Sequence, residues 1–229
     1  MHNKYPDLPW DSDDIRELRV RLQKPERAED PEAFYLHRRI SIYITIFLAH
    51  WLPGLHPNHL TLLAVLLAFL TPIAASLLPV TSGILLMFIA YHIVYILDLI
   101  DGELARYTGH TSQKGVWLDR LLAWGVHLIA LATYLLLAVE YNRFFVVLGV
   151  SSYIFRWSVA EARISPSQSG AGGKLAFFRW LFSPSGLISC ALIVRLIGFE
   201  IGVLLLFPIA FLMIGLKNVG MTLRSLDSD

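Results

Sequence analysis

Six stretches of this chain, near residues 58–79, 82–105, 116–139, 142–162, 181–198 and 199–217, are nearly free of charge and about as long as a bilayer is thick. A hydrocarbon core asks for roughly twenty apolar residues of helix, and a helix satisfies its own backbone groups where no water can reach them. The expected fold class is therefore an all-α integral membrane protein with six transmembrane helices. Pro79 with Ser82–Gly83, the Pro166–Gly173 segment and Gly198 are read as breakers between several of these spans. The second and third spans are expected to continue as helix beyond their apolar parts, because the charged turns beside them keep helical spacing. Of the 229 residues 55% are apolar and 16% charged, against roughly a quarter charged in ordinary soluble domains. A water-soluble globule and a disordered chain are both excluded. Cys190 is the sole cysteine, so one chain offers neither a disulfide framework nor a cysteine metal site.

Ahead of the first span, Ile40, Tyr43, Ile44, Phe47, Leu48 and Trp51 repeat at helical spacing, with Arg38, Arg39, Ser41 and Thr45 off that stripe and Pro53-Gly54 ending the run. Residues 34–53 are read as an amphipathic helix lying at the membrane interface; a seventh, short span is the alternative. Residues 1–33 hold nine of the eighteen Asp/Glu, interleaved with basic residues, and are expected to form a solvated cytosolic extension. Their start lacks the apolar stretch of a signal peptide. Residues 54–222 then form the six-helix domain and 223–229 a cytosolic tail. Eight Lys/Arg fall within residues 1–39, while Arg106, Lys114 and Arg120 flank the second connection and Arg163, Lys174 and Arg179 the fourth. Lys217 and Arg224 close the chain, and the first, third and fifth connections carry only Arg143 among them. By the positive-inside rule both termini are cytosolic, which requires an even number of spans.

The few charges inside this apolar chain carry the chemistry. Residues 98–119 read DLIDGELARYTGHTSQKGVWLD. Asp98 and Asp101 are three apart and share a helix face, at the end of a membrane span where a carboxylate is costly unless paired or metal-bound. Asp119 opens the next helix across a short connection. Three carboxylates with no lysine among them suit Mg²⁺ or Mn²⁺. Gly102 and Ala105 permit close approach to the backbone, Arg106 offers a planar fork for a phosphate oxygen, and Gly115 removes bulk near Asp119. The alternative, a set of polar helix ends facing water, explains two acids better than three set among glycines and an arginine. A cation transporter is a further alternative, weakened because the acids gather at one end of their helices rather than along a path.

The pattern Asp98-x-x-Asp101-Gly102-x-x-Ala105-Arg106, eight residues, Gly115, three residues, Asp119 resembles the signature of the CDP-alcohol phosphotransferase family. Pro57-Asn58-His59-Leu60-Thr61 looks like the Pro-Asn-x-x-Thr element of that family. Arg38-Arg39-Ile40-Ser41 is similar to the juxtamembrane helix of members that make inositol-phosphate lipids from CDP-inositol. The resemblance covers about residues 34–222. It implies a six-helix fold, homodimeric in many members, with a cavity open to the cytosol. It also implies transfer of a substituted phosphate from a CDP-linked donor to an alcohol, releasing CMP, in phospholipid biosynthesis. Asp98, Asp101 and Asp119 become the expected metal ligands. Asp98, Asp101, Gly102, Ala105, Arg106 and Gly115 become donor-binding residues, with Asn58 and Thr61 as further candidates. Arg156, Arg163 and Lys174 are the expected acceptor or phosphate contacts, pairing or snorkelling of Arg156 being the alternative. No nucleic acid is expected as a partner.

One position departs from the family. Its fourth aspartate, to which the resemblance assigns metal coordination and deprotonation of the acceptor, is Ala123 here. An engineered inactivating substitution, a natural member that binds donor but turns over poorly, and replacement of the base by His127 one turn further along are the three explanations. The intact flanking residues favour the first. A non-catalytic donor-binding or scaffold homologue is the corresponding alternative function.

Overall fold

Capping chemistry decides where the helices begin and end. The computed structural model describes residues 4–26, 29–161 and 176–226, and every regular element among them is helical. In α1 (Asp13–Leu22) the Ser12 hydroxyl accepts the Ile15 N–H, Asp13 and Asp14 occupy the first turn and Arg19 and Arg21 the last. That order of charge complements the helix dipole. A π turn, Ala33–His37, runs into α2 (Arg38–Trp51). The long helices follow: α3 (Pro57–Ser76), α4 (Val80–Thr108), α5 (Gln113–Val139) and α6 (Arg143–Glu161). After α7 (Ala176–Leu181), Ser183 caps α8 (Pro184–Ile197) with Pro184 in its first turn. Gly198, at φ +71°, ends α8 in the left-handed conformation before α9 (Glu200–Leu226).

Pro57–Ser76, Val80–Thr108, Gln113–Val139 and Glu200–Thr222 are long and apolar enough to cross a membrane. The other two expected spans are helical but of different character. α6 carries Arg143, Ser151, Ser152 and Arg156 within its length. α8 has 14 residues, about 21 Å at 1.5 Å per residue, short of the roughly 30 Å of a hydrocarbon core. Ser82–Gly83 is not a breaker: it lies inside α4, where a Cβ on Gly83 would come within 2.8 Å of the Ala75 carbonyl oxygen. The glycine serves close helix packing there instead of a turn. Residues 162–175, with the expected Pro166–Gly173 connection, lie outside the described residues, as do 227–229.

The chain forms two compact units. The first comprises 1–71, 89–127 and 168–180. Leu60, Ile100 and Leu104 are its buried centre, with Ile44, Leu48 and Leu55 packed against them. The polar side of α2 faces inward: Arg38, Ser41 and Thr45 are buried, whereas Phe47 and Trp51 are 58% and 67% exposed. What the inward stripe meets is Glu103, itself 0% exposed. Its Oε1 accepts from Arg38 Nη1 at 3.0 Å, Ser41 Oγ at 2.6 Å and Gln23 Nε2 at 2.9 Å, and its Oε2 from Thr45 Oγ1 at 2.8 Å. A carboxylate buried this deeply is tolerable only when its lone pairs are so filled.

This network corrects the expectation of a solvated N-terminal extension. Arg19 of α1 is fully buried, donating to Asp11 Oδ2 at 2.7 Å and to the backbone carbonyls of Arg38 and Arg39 at 2.9 and 3.1 Å. Burial alone would push the Asp11 carboxyl up; hydrogen bonds from Arg19 and Tyr43 outweigh it and bring the group down to about 2. The alternating charges of this segment are partly inward-facing partners, and its outer face, with Asp13 and Asp14, stays exposed.

The second unit comprises 72–88, 128–167 and 181–229. Here α6 packs along α9, with Gly215 lying under the ring of Phe155. The Tyr134 hydroxyl sits 3.1 Å from the carbonyls of both Phe145 and Leu204. A Cβ on Gly149 would collide with the Tyr134 ring. Arg195 Nη1 reaches Glu140 at 2.5 Å and Glu200 at 3.1 Å.

Candidate active site

The chain reverses between α4 and α5 in a short connection, 109–112, which Gly109 begins at φ +72°. A residue with a Cβ would be strained at that angle. The reversal returns α5 alongside the end of α4, and Asp101 and Asp119 line one cavity. Thr61 Oγ1, from the first turns of α3, donates to Asp101 Oδ2 at 2.5 Å.

These residues border a cavity of about 280 Å³. Asp101, Gly102, Ala105, Arg106, Gly115 and Asp119 line it, and so do Asn58 and Thr61. Each glycine makes room for a polar group: a Cβ on Gly102 would lie 3.4 Å from the Arg106 guanidinium, and one on Gly115 3.1 Å from Asn58 Oδ1. The Ser112 hydroxyl accepts the Gly115 N–H at 3.1 Å and the Asn58 amide at 3.4 Å, fixing the connection against α3. Arg106 Nε is held by the Leu22 carbonyl at 2.6 Å.

Several expected residues lie elsewhere. Asp98 is half-buried and does not line the cavity. Ala123 is exposed one turn beyond Asp119, and His127 is half-buried a turn further; neither lines the cavity. Arg156 belongs to the second unit, its guanidinium 5.0 Å from the centre of the Phe211 ring and its buried Nε without a hydrogen-bond partner among the described residues. Arg163 and Lys174 fall outside the described residues. In return, the cavity gains Lys24, Arg38, His110, Thr111 and Ser112. A signal for Arg38 existed in the polar stripe Arg38, Ser41, Thr45, whose spacing of three and four marks a helix face that must meet polar partners. Nothing local marked Lys24, which reaches the cavity only because α1 is docked.

The donor set suits a hard cation: the carboxylates of Asp101 and Asp119 with the Thr61 hydroxyl, and no thiol among the lining residues. Among the described residues, however, the groups whose ligand atoms all close to within 4.8 Å of one another are Glu32, His37 and His92 rather than the three aspartates. Acids on α4 and α5 face the same cavity as Lys24, Arg38 and Arg106. Such a cavity can hold a cation on one side and phosphate oxygens on the other.

Helices of membrane-spanning length, with a cavity lined by both acidic and basic side chains, mark the chain as an integral membrane protein. The model of the CDP-alcohol phosphatidyltransferase family matches residues 54–214. The chain belongs to that family. It is also similar to a bifunctional IPC transferase and DIPP synthase of Aquifex aeolicus (strain VF5), 37% identical over 87 residues. That match spans 38% of this chain and 18% of the relative's length. Lys24 and Arg38 precede the family match.

Proposed function

We propose that the chain binds a CDP-linked donor, CDP-diacylglycerol or a CDP-alcohol, in this cavity and passes its substituted phosphate to an alcohol acceptor with release of CMP, in phospholipid biosynthesis. The observation that carries this reading is the convergence of Asp101, Gly102, Arg106, Gly115 and Asp119 on one cavity, in a chain of this family. Mg²⁺ or Mn²⁺, held by Asp98, Asp101 and Asp119, would neutralise the diphosphate and polarise the phosphorus under attack. The side chains position the rest. Arg106, with Nε committed to Leu22, offers its two terminal nitrogens to a phosphate oxygen. Gly102, Ala105 and Gly115 keep the walls low, and Thr61 fixes one oxygen of Asp101 so that the other is presented. Asn58 lies at the same mouth. The acceptor oxygen forms its bond to phosphorus as the bond to CMP breaks, with in-line positioning supplying much of the acceleration.

Arg156, Arg163 and Lys174 are assigned to the acceptor. Six spans, with α6 and α8 completing the four long ones, and cytosolic termini and active site belong to the same reading, as does a homodimer. So does placement of α2 at the interface, supported by the exposed Tyr43, Phe47 and Trp51 on its outer face.

Ala123 supports a second reading, that of a homologue which binds donor and turns it over poorly. The carboxylate that would deprotonate the acceptor is missing, and His127 lies about 12 Å along α5 from Asp119 at 1.5 Å per residue. Incubation of the purified chain with radiolabelled CDP-diacylglycerol or CDP-inositol, an alcohol panel and Mg²⁺ or Mn²⁺ separates the two. Metal-dependent CMP release supports the transferase; donor binding without release supports the second reading; neither binding nor release contradicts both.

A further inference from the structure

The cluster formed by Glu32, His37 and His92 belongs to no part of the donor cavity. His37 Nε2 and His92 Nδ1 are 3.0 Å apart, and His92 Nδ1 and Glu32 Oε1 are 3.3 Å apart. Nitrogen and oxygen ligands at about 2.0–2.1 Å from a common centre show such separations when they subtend roughly 90–110° there. We propose that Glu32, His37 and His92 form a second divalent-metal site, of the kind that takes Zn²⁺, separate from the aspartate cluster.

The surroundings are those of a built site. His37 is 1% exposed, and the side chains of Glu32 and His92 are 7% and 21% exposed. Trp180 Nε1 donates to Glu32 Oε2 at 2.8 Å, which turns Oε1 toward His92. The other ring nitrogen of His37, Nδ1, is buried and has no hydrogen-bond partner among the described residues. Tyr95 packs edge-on against His37 at 5.0 Å, and Tyr91 against His92 at 5.3 Å. The backbone is adapted as well. Glu32 and His37 are five residues apart, a spacing that diverges on an α-helix, and the π turn Ala33–His37 brings it into register.

Two imidazoles and a carboxylate select Zn²⁺ and its borderline neighbours, whereas three carboxylates select Mg²⁺ or Mn²⁺. The two sites are therefore separable by competition. Bound metal would clip the segment before α2 to α4, the helix that also carries Asp98 and Asp101. His92 is six residues from Asp98, about 9 Å along the helix at 1.5 Å per residue.

Co²⁺ is the probe. The whole 229-residue chain, stripped with chelator and returned to excess Mg²⁺, is titrated with Co²⁺ and followed by visible absorption. X-ray absorption at the cobalt edge serves as a second readout. The expected result is about one equivalent of Co²⁺ with ligand-field bands, outer-shell imidazole scattering, and displacement by Zn²⁺ but not Mg²⁺. The bands are lost in His37→Gln and His92→Gln and kept in Asp119→Asn. Absence of the bands from the wild-type protein, or a cobalt edge without imidazole scattering, overturns the proposal even where a histidine variant fails to fold. Bands that survive in both histidine variants, or vanish in Asp119→Asn, also overturn it.

Discussion

Arg106 Nε donates a 2.6 Å hydrogen bond to the backbone carbonyl of Leu22, the last residue of α1. The arginine of the donor motif is thus oriented by the segment that precedes the membrane helices, and Lys24, two residues on, lines the same cavity. The N-terminal extension is part of the site's wall.

Arg106→Lys tests the fork. A lysine keeps the charge but cannot hold the Leu22 carbonyl and a phosphate oxygen together. Loss of one charge-assisted hydrogen bond, about 1.5–3 kcal/mol, predicts donor affinity weaker by roughly tenfold or more, measured by calorimetry with CDP-diacylglycerol in nanodiscs.

Glu103→Ala tests the buried network. It leaves the Arg38 guanidinium paired with Glu29 alone and removes the acceptor that Gln23, Ser41 and Thr45 share. Breaking a buried pair costs about 3–5 kcal/mol, so thermal unfolding in detergent shifts down by several degrees or more. A double variant, Glu103→Leu with Arg38→Met, recovers part of that loss because no charge is left unpaired.

Acid undocks α1 in a defined direction. The Asp11 carboxyl titrates at about 2 in the folded chain against 3.8 for the free side chain. A folded value below the unfolded one means the contribution is fully present above roughly pH 4 and is lost as pH falls toward 2. Protection factors of α1 amides, corrected for intrinsic exchange, therefore hold from pH 7 to 5 and fall below 4. In Asp11→Asn that acid step is absent.

Ala123→Asp restores a carboxylate one turn from Asp119. General-base assistance contributes about 10²–10⁴-fold, so CMP release rises by two orders of magnitude or more while donor affinity changes little. Equal rates in the two forms show that Ala123 does not limit turnover.

The site was legible in the sequence where its geometry is local. Asp101, Gly102, Ala105 and Arg106 share one helix end, and the short connection to α5 brings Asp119 to the same cavity; Asp98, on the same helix end, does not line it. Glu103 stayed hidden because it is not one of the residues that carry the motif and its partners are distant: Gln23 lies 80 residues away in the chain. Lys24 stayed hidden for the same reason, since alternating charge reads as solvated until a docking partner is known. The apolar stripe of α2 is divided: Ile40, Tyr43, Phe47 and Trp51 are exposed, Ile44 and Leu48 pack inward, and Arg38, Ser41 and Thr45 are buried beside them. Periodicity gives a helix two faces; which of them meets the protein depends on whether the outside is water or lipid.

The most direct test is metal-dependent donor binding. Labelled CDP-diacylglycerol is titrated onto the purified chain with Mn²⁺, with chelator, and in Asp119→Asn. The account predicts saturable binding with Mn²⁺ that falls at least tenfold in both other cases. Binding of equal strength in all three would contradict it.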